Sequence, residues 1–326
     1  MKNKTPALIP LPGVYVPLLS WTKPNSDALD LDAYCKQIDR VVAEGVQGIL
    51  VHAGRGDPTD LPVPEYKAAI QAAKDTICAS AKPGPISRTS YPTLVVGTSA
   101  STLFRTIERC VYAHQLGADY VLVHAPADAT TEHQIASFFT RVAKWSKIPV
   151  ILYETAGTPA ISSALLHTLA AHGNIVGLVS WRPSTGGKHI TGFATFQCTS
   201  SLHMSLGGST GIIAPLANLI PAAVVRAWTS WASGNVAAAR RFANDMENAG
   251  VLEAAEDVPG IAVRACGRRC PECPFWPCEE AGSWWGLQNT YYDFTPTQSC
   301  IDLAELATTS PTPTPTVIAS ANLSFD

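Results

Sequence analysis

The sequence predicts an α/β protein: a (β/α)8 barrel of the TIM type, with a shortened sixth helix and an irregular C-terminal tail. Three observations carry this. Short runs rich in β-branched residues alternate with longer stretches of helical period from residue 14 to about 250. The strand runs are apolar at successive positions, as strands buried on both faces are. About eight such units within roughly 240 residues is the size of a closed barrel. A doubly wound open sheet is the competing arrangement, and no Gly-x-Gly-x-x-Gly follows the first strand to favour it.

The first strand is expected at Val14 to Leu19, before a helix over Leu31 to Glu44 that Gly45 ends. The second strand is Gly48 to His52, with a helix over Glu65 to Ser80. Thr93 to Gly97 and Tyr120 to His124 are the third and fourth strands, followed by helices over Ser101 to Leu116 and Glu132 to Ser146. Pro149 to Tyr153 is the fifth strand, then a helix over Ser162 to His172, and Ile175 to Val179 is the sixth strand. Arg182 to Gly192 is rich in Gly, Ser and Pro where a sixth helix belongs. A weak seventh strand over Phe193 to Cys198 and an eighth over Gly211 to Ala214 complete the set. Pro221 to Asn248 reads as one long helix or a pair, opening with Pro in its first turn.

Two regions follow from this pattern. Residues 1–250 form the barrel, and residues 251–326 form a Cys/Trp/Pro-rich extension expected to be poorly ordered. Arg264 to Trp285 holds four Cys and three Trp without helical or strand period. The spacing Cys266-x3-Cys270-x2-Cys273-x4-Cys278 lacks the two separated pairs of a zinc ribbon, so no metal is expected. Charged residues are 15% of the chain and the net charge is -3, which argues against a nucleic-acid partner. No apolar run is long enough to span a membrane. Prolines interrupt the apolar stretch after Met1-Lys2-Asn3-Lys4, so an export signal is not expected and the cytoplasm is the expected compartment.

In a barrel, reacting groups stand at the C-terminal strand ends and on the loops that follow. That selects His52 to Asp57, Thr98-Ser99, His124 to Asp128, Tyr153-Glu154, Val179 to Trp181 and Ile213-Ala214. Five segments there carry a family resemblance. Val150-Ile151-Leu152-Tyr153 resembles a V-I-L-Y-N-x-P strand. Val46 to Val51 with Ala53-Gly54-Arg55-Gly56-Asp57 resembles a second strand with its G-T-T-G-E loop, and Leu61 to Tyr66 the L-S-x-x-E after it. Asn174-Ile175-Val176-Gly177-Leu178 resembles N-I-V-G-I, and Gly208 to Ala214 with Ala217-Asn218 an eighth-strand segment. In order and spacing, residues 8–250 resemble the dihydrodipicolinate synthase and N-acetylneuraminate lyase family.

The resemblance implies an aldolase-like lyase or synthase acting on a 2-oxo acid, of the pyruvate or 2-keto-3-deoxy sugar acid class. It implies no cofactor, and a homo-oligomer, dimer or tetramer. In that family a Lys amine forms a Schiff base with the 2-oxo acid and a Tyr carries protons. The resemblance places Tyr153 as the proton carrier, the Gly54, Arg55 and Gly56 loop as the carboxylate contact, and Ile213 as a pocket backbone contact. The chain departs from the pattern at the decisive place, because Val179 occupies the Schiff-base position and a valine forms no imine. The family's loop threonines are Gly54 and Arg55 here, Asp128 stands where a second Tyr is common, and Thr158 where an Arg is.

Two accounts of Val179 stay open. The coding sequence around residues 179–200 and beyond 258 departs from the true transcript, or the chain lacks the amine and is a catalytically impaired barrel retaining a small-molecule pocket. A third class of activity would use a metal held by His52 and His124, facing each other across the mouth, with Asp57 or Asp128. Lys188 is a remote substitute for the amine. Glu154, one residue past Tyr153, is expected outside the barrel.

Overall fold

The computed structural model describes residues 8–20, 23, 28–53, 61–80, 91–126, 128–154, 160–180, 190–198 and 209–248. The strands are β1 Gly13–Pro17, β2 Gly48–Val51, β3 Thr93–Gly97, β4 Tyr120–His124, β5 Val150–Glu154, β6 Ile175–Ser180, β7 Ala194–Cys198 and β8 Gly211–Ile213. Each pairs in parallel with the next, and β8 returns to β1, so the sheet is a closed barrel. The helices are α1 Leu31–Ala43, α2 Val63–Ala79, α3 Leu103–Gln115, α4 Glu132–Trp145, α5 Ser163–Ala170, α6 Pro221–Ala232 and α7 Val236–Asn248.

Local chemistry sets where the helices begin. Asp30, Thr102 and Ser162 each accept a backbone N–H from the first turn of α1, α3 and α5. Thr131 and Gln134 form a reciprocal capping box at α4. Pro221 opens α6, where a missing N–H costs nothing. Of the two arrangements expected over Pro221 to Asn248, the pair forms: Gly234, at φ 83°, supplies the left-handed turn between α6 and α7.

Strand alternation divides the apolar residues into two cores. Val14, Val16, Ile49, Val51, Leu94, Val96, Val121, Val123, Val150 and Leu152 face outward and pack under the helices. Tyr15, Leu50, Val95, Leu122, Ile151, Val179, Phe196 and Ile213, one from each strand, face inward. Together they close around a cavity of about 10 Å³. That is room for one water at most, and the walls are apolar. The barrel axis is therefore a packed core, not a channel.

Polar clamps hold strands to helices. Asn218, 2% exposed, donates to Pro17 O (2.8 Å) and Pro215 O (3.0 Å), tying the end of β1 to the turn after β8. Asn174 donates to Ala143 O, Ser146 O and Ile148 O, so the chain before β6 is fastened to the end of α4. No helix lies between β6 and β7 among the described residues. The expected shortened sixth helix, at 182–192, falls largely outside them, as does the extension over 251–326.

One close contact constrains the mouth of the barrel. A Cβ on Gly97, at the end of β3, would lie 1.8 Å from the carbonyl oxygen of His52. Gly97→Ala is therefore expected to destabilise the fold by about 3 kcal/mol. Gly173→Ala, whose Cβ meets nothing within 4 Å, is expected to be neutral or slightly stabilising. Urea unfolding of the two variants measures the contrast, and equal midpoints would contradict the packing described at Gly97.

Candidate active site at the mouth of the barrel

The C-terminal ends of β4, β5 and β6 line up in one row. His124 pairs with Tyr153, and Tyr153 pairs with Val179. This alignment depends on an irregularity. Val150 pairs with Ile175, but Ile151 pairs with Gly177, so β6 carries one extra residue against β5. Without that shift Tyr153 would face outward-pointing Leu178; with it, Tyr153 lies beside inward-pointing Val179.

Tyr153 is half-buried and packs on the inner core. Val179 is 1% exposed and forms part of the apolar floor beneath it. Val179, the position that the resemblance assigns to the Schiff-base Lys, is thus inside the lumen and next to Tyr153, and it carries no amine. Ile213 is buried on the inner face and pairs with Cys198 of β7 and Tyr15 of β1. The Tyr15 hydroxyl donates to Leu11 O at 2.8 Å, so it does not face the mouth as an acid or base. Burial pushes the Cys198 thiol up to about 11, so Cys198 adds no anion near neutral pH.

The expected facing pair of histidines is not formed. His52 follows β2 with a φ of 59°, a left-handed conformation that reverses the alternation of the strand. Ala53 then packs on the inner core, while His52 turns outward to α2. Its ring stacks on Tyr66 at 4.4 Å between centroids, and its Nε2 lies 3.0 Å from Tyr66 O. The Tyr66 hydroxyl donates to Gly97 O at 2.9 Å, and the Arg109 guanidinium lies over the Tyr66 ring. His52 thus anchors the start of the second-strand loop instead of lining the mouth. Among the described residues no three His, Cys, Asp or Glu side chains cluster as metal ligands.

Glu154 faces outward as expected, yet it is 1% exposed. Its carboxylate accepts the Ser180 hydroxyl at 2.5 Å and the Ile161 N–H at 3.0 Å. It therefore fastens the end of β5 to the end of β6 and to the chain entering α5, directly behind Tyr153 and Val179. Asp128 is exposed in the loop after β4. Gly54, Arg55, Gly56 and Asp57, with Thr158 and Lys188, lie outside the described residues.

A closed (β/α)8 barrel with a Tyr and a His at adjacent inward strand ends defines a class of barrel with a small polar mouth over an apolar floor. Comparison with known proteins places it more narrowly. Residues 12–252 match the dihydrodipicolinate synthetase family, and the chain belongs to it. A protein of Emericella nidulans named as a mitochondrial 4-hydroxy-2-oxoglutarate aldolase is 31% identical over 245 residues, covering 71% of this chain and 77% of the relative. An L-threo-3-deoxy-hexylosonate aldolase of Hypocrea jecorina is 29% identical, over 68% and 76%. A crystal structure of a family protein from Coccidioides immitis superposes with a TM-score of 0.68 at 23% identity, over 93% of this chain and 99% of that one. A prophage protein of the family from E. coli K12, solved in complex with pyruvate, superposes with a TM-score of 0.65 at 22% identity, over 91% and 97%.

The Glu154 clamp generates a stability prediction. Removing a charged acceptor leaves two donors stranded in a dry site, so Glu154→Ala is expected to cost about 2–3 kcal/mol, and Ser180→Ala about 1 kcal/mol. Chemical denaturation of both variants checks the order, and a Glu154→Ala protein as stable as the wild type would refute the clamp.

Proposed function

We propose that the protein is an aldolase-like lyase or synthase acting on a 2-oxo acid of the pyruvate or 2-keto-3-deoxy sugar acid class. The observation that carries the reading is Tyr153, inward-facing at the end of β5 in a chain of this family. The relatives named as aldolases for 4-hydroxy-2-oxoglutarate and L-threo-3-deoxy-hexylosonate support the substrate class, and the family structure solved with pyruvate supports the ligand. In this reading the Tyr153 phenol carries protons to and from the substrate. Arg55, with the Gly54 and Gly56 backbone, holds the carboxylate as a bidentate donor. The Ile213 backbone completes the pocket. No cofactor is part of the proposal, and we expect a homo-oligomer. No helix among the described residues is long and apolar enough to cross a membrane. The cytoplasm is the proposed compartment, beside one relative named as mitochondrial.

A second reading is favoured by Val179: a barrel that binds a 2-oxo acid without forming an imine, and turns it over poorly or not at all. Turnover of a 2-oxo acid aldol separates the two, and borohydride trapping tests whether an imine forms. With the present sequence, pyruvate and borohydride are expected to leave the protein mass unchanged. Val179→Lys puts an amine beside Tyr153 in an apolar site, where desolvation holds a lysine toward its neutral, nucleophilic form. That variant, checked by circular dichroism for folding, is expected to gain the mass of one reduced pyruvate. An adduct on the unaltered chain would show that another lysine does the chemistry. A folded Val179→Lys without adduct would show that position 179 is not beside the bound carbonyl.

A further inference from the structure

We propose that His124 is an acid–base group of this mouth, exchanging a C3 proton of a non-covalently bound 2-oxo acid while Tyr153 donates a hydrogen bond to the substrate's C2 oxygen. The inference rests on the 2-oxo acid reading above and assigns the chemistry left to the site when no amine is present.

Tyr120 and Leu122 of β4 point into the inner core, and Val121 and Val123 into the outer one. His124 is next in the alternation, so its side chain leaves β4 on the inner face. Its ladder partner is Tyr153, which faces the same way. Paired residues in neighbouring strands stand about 4.8 Å apart, so a carbonyl and its adjacent carbon fit across the two side chains. Both residues are half-buried, above the floor that includes Val179 and Ile151.

The imidazole is also oriented. His124 Nδ1 lies 2.9 Å from Ala125 O. A carbonyl only accepts, so Nδ1 carries the hydrogen and Nε2 is the basic nitrogen. The backbone is held as well: the His124 N–H donates to Ser99 Oγ at 2.9 Å, and Ser99 is 4% exposed. A base whose second nitrogen is tied to a carbonyl is arranged to give and take protons at one defined atom.

The other described groups at the mouth do not compete for this role. His52 is turned to α2, the Cys198 thiol holds its proton near neutral pH, Glu154 is behind the sheet, and Val179 and Ile213 are apolar. Without an imine, the charge that develops on enolisation falls on the carbonyl oxygen. A phenol donor in a partly desolvated site is suited to stabilise that oxygen.

His124 Nε2 takes a proton from C3. The electron pair of that C–H bond forms the C2–C3 double bond, and the carbonyl pair moves onto the C2 oxygen, which accepts a hydrogen bond from Tyr153. In heavy water Nε2 exchanges its proton with solvent and returns a deuteron to C3. Hydrogen is replaced by deuterium, and nothing is oxidised or reduced.

Proton NMR of pyruvate in heavy water, with a protein-free control, reads this exchange directly, and ligand line broadening reads binding in the same sample. The unaltered protein is expected to broaden the pyruvate signal and to exchange its methyl protons above the control. His124→Gln is expected to keep the broadening and lose about 100-fold in exchange, and Tyr153→Phe to lose a comparable factor. Broadening without exchange in the unaltered protein overturns the role of His124 and leaves the 2-oxo acid reading standing. Exchange that survives in folded His124→Gln overturns it as well. Absence of both broadening and exchange overturns the 2-oxo acid reading, and this inference with it. Because the unaltered chain alone decides two of these outcomes, the test does not depend on a variant folding.

Discussion

Closure of the parallel ladder between β1 and β8 is the constraint from which the rest of the molecule follows. Gly13 pairs with Gly211 and Tyr15 with Ile213, and both glycines stand at crowded seams. A Cβ on Gly211 would lie 2.6 Å from Gly13 O and 2.8 Å from the Phe196 ring, so the missing side chain lets Phe196 fill the lumen. Once the ring is closed, every strand must send alternate residues to an interior of fixed width. Inward side chains fill that interior almost completely, and the eight at its centre leave only about 10 Å³ between them. Polar groups then have room only at the strand ends, which is where His124 and Tyr153 stand.

The same constraint shows why two small irregularities matter. The extra residue of β6 brings position 179 beside Tyr153, and the left-handed backbone at His52 turns an imidazole away from the mouth. Each changes which face a side chain occupies, because strand parity is all-or-none. Each is held by packing behind the sheet. Glu154 bridges β5, β6 and the approach to α5, while His52 lies between Tyr66 and the tight crossing at Gly97. The mouth therefore has a supporting layer of outward-facing polar residues, and the geometry of the inward row depends on it.

The strand–helix alternation made the barrel legible, since apolar runs such as Gly48–Val51 and Val150–Leu152 have one stable use in a repeated α/β chain. The strand-end rule likewise selected Tyr153, Val179 and Ile213, and all three face inward. What periodicity could not carry was parity at the irregular positions. His52 continues an apolar run, and nothing local in Val51-His52-Ala53 marks a positive φ. The pairing of Tyr153 with Val179 also rests on a register shift, which is a property of two strands together. Glu154 was placed correctly outside the barrel, but its burial arises from Ser180 and Ile161, which meet it only in the fold. The helix pair α6–α7 was a matter of one residue, Gly234, inside an otherwise continuous helical period.

What emerges is a family barrel with a phenol and an imidazole in adjacent strands at its mouth and Val179 beside the phenol, at the position that the resemblance assigns to the imine-forming Lys. We propose that a 2-oxo acid binds here as a ketone. Carbon-13 NMR of pyruvate labelled at C2, mixed with the unaltered protein, tests this most directly. The account predicts that the C2 signal broadens on binding and stays in the ketone region. A bound signal in the imine region, or no broadening at all, would contradict it.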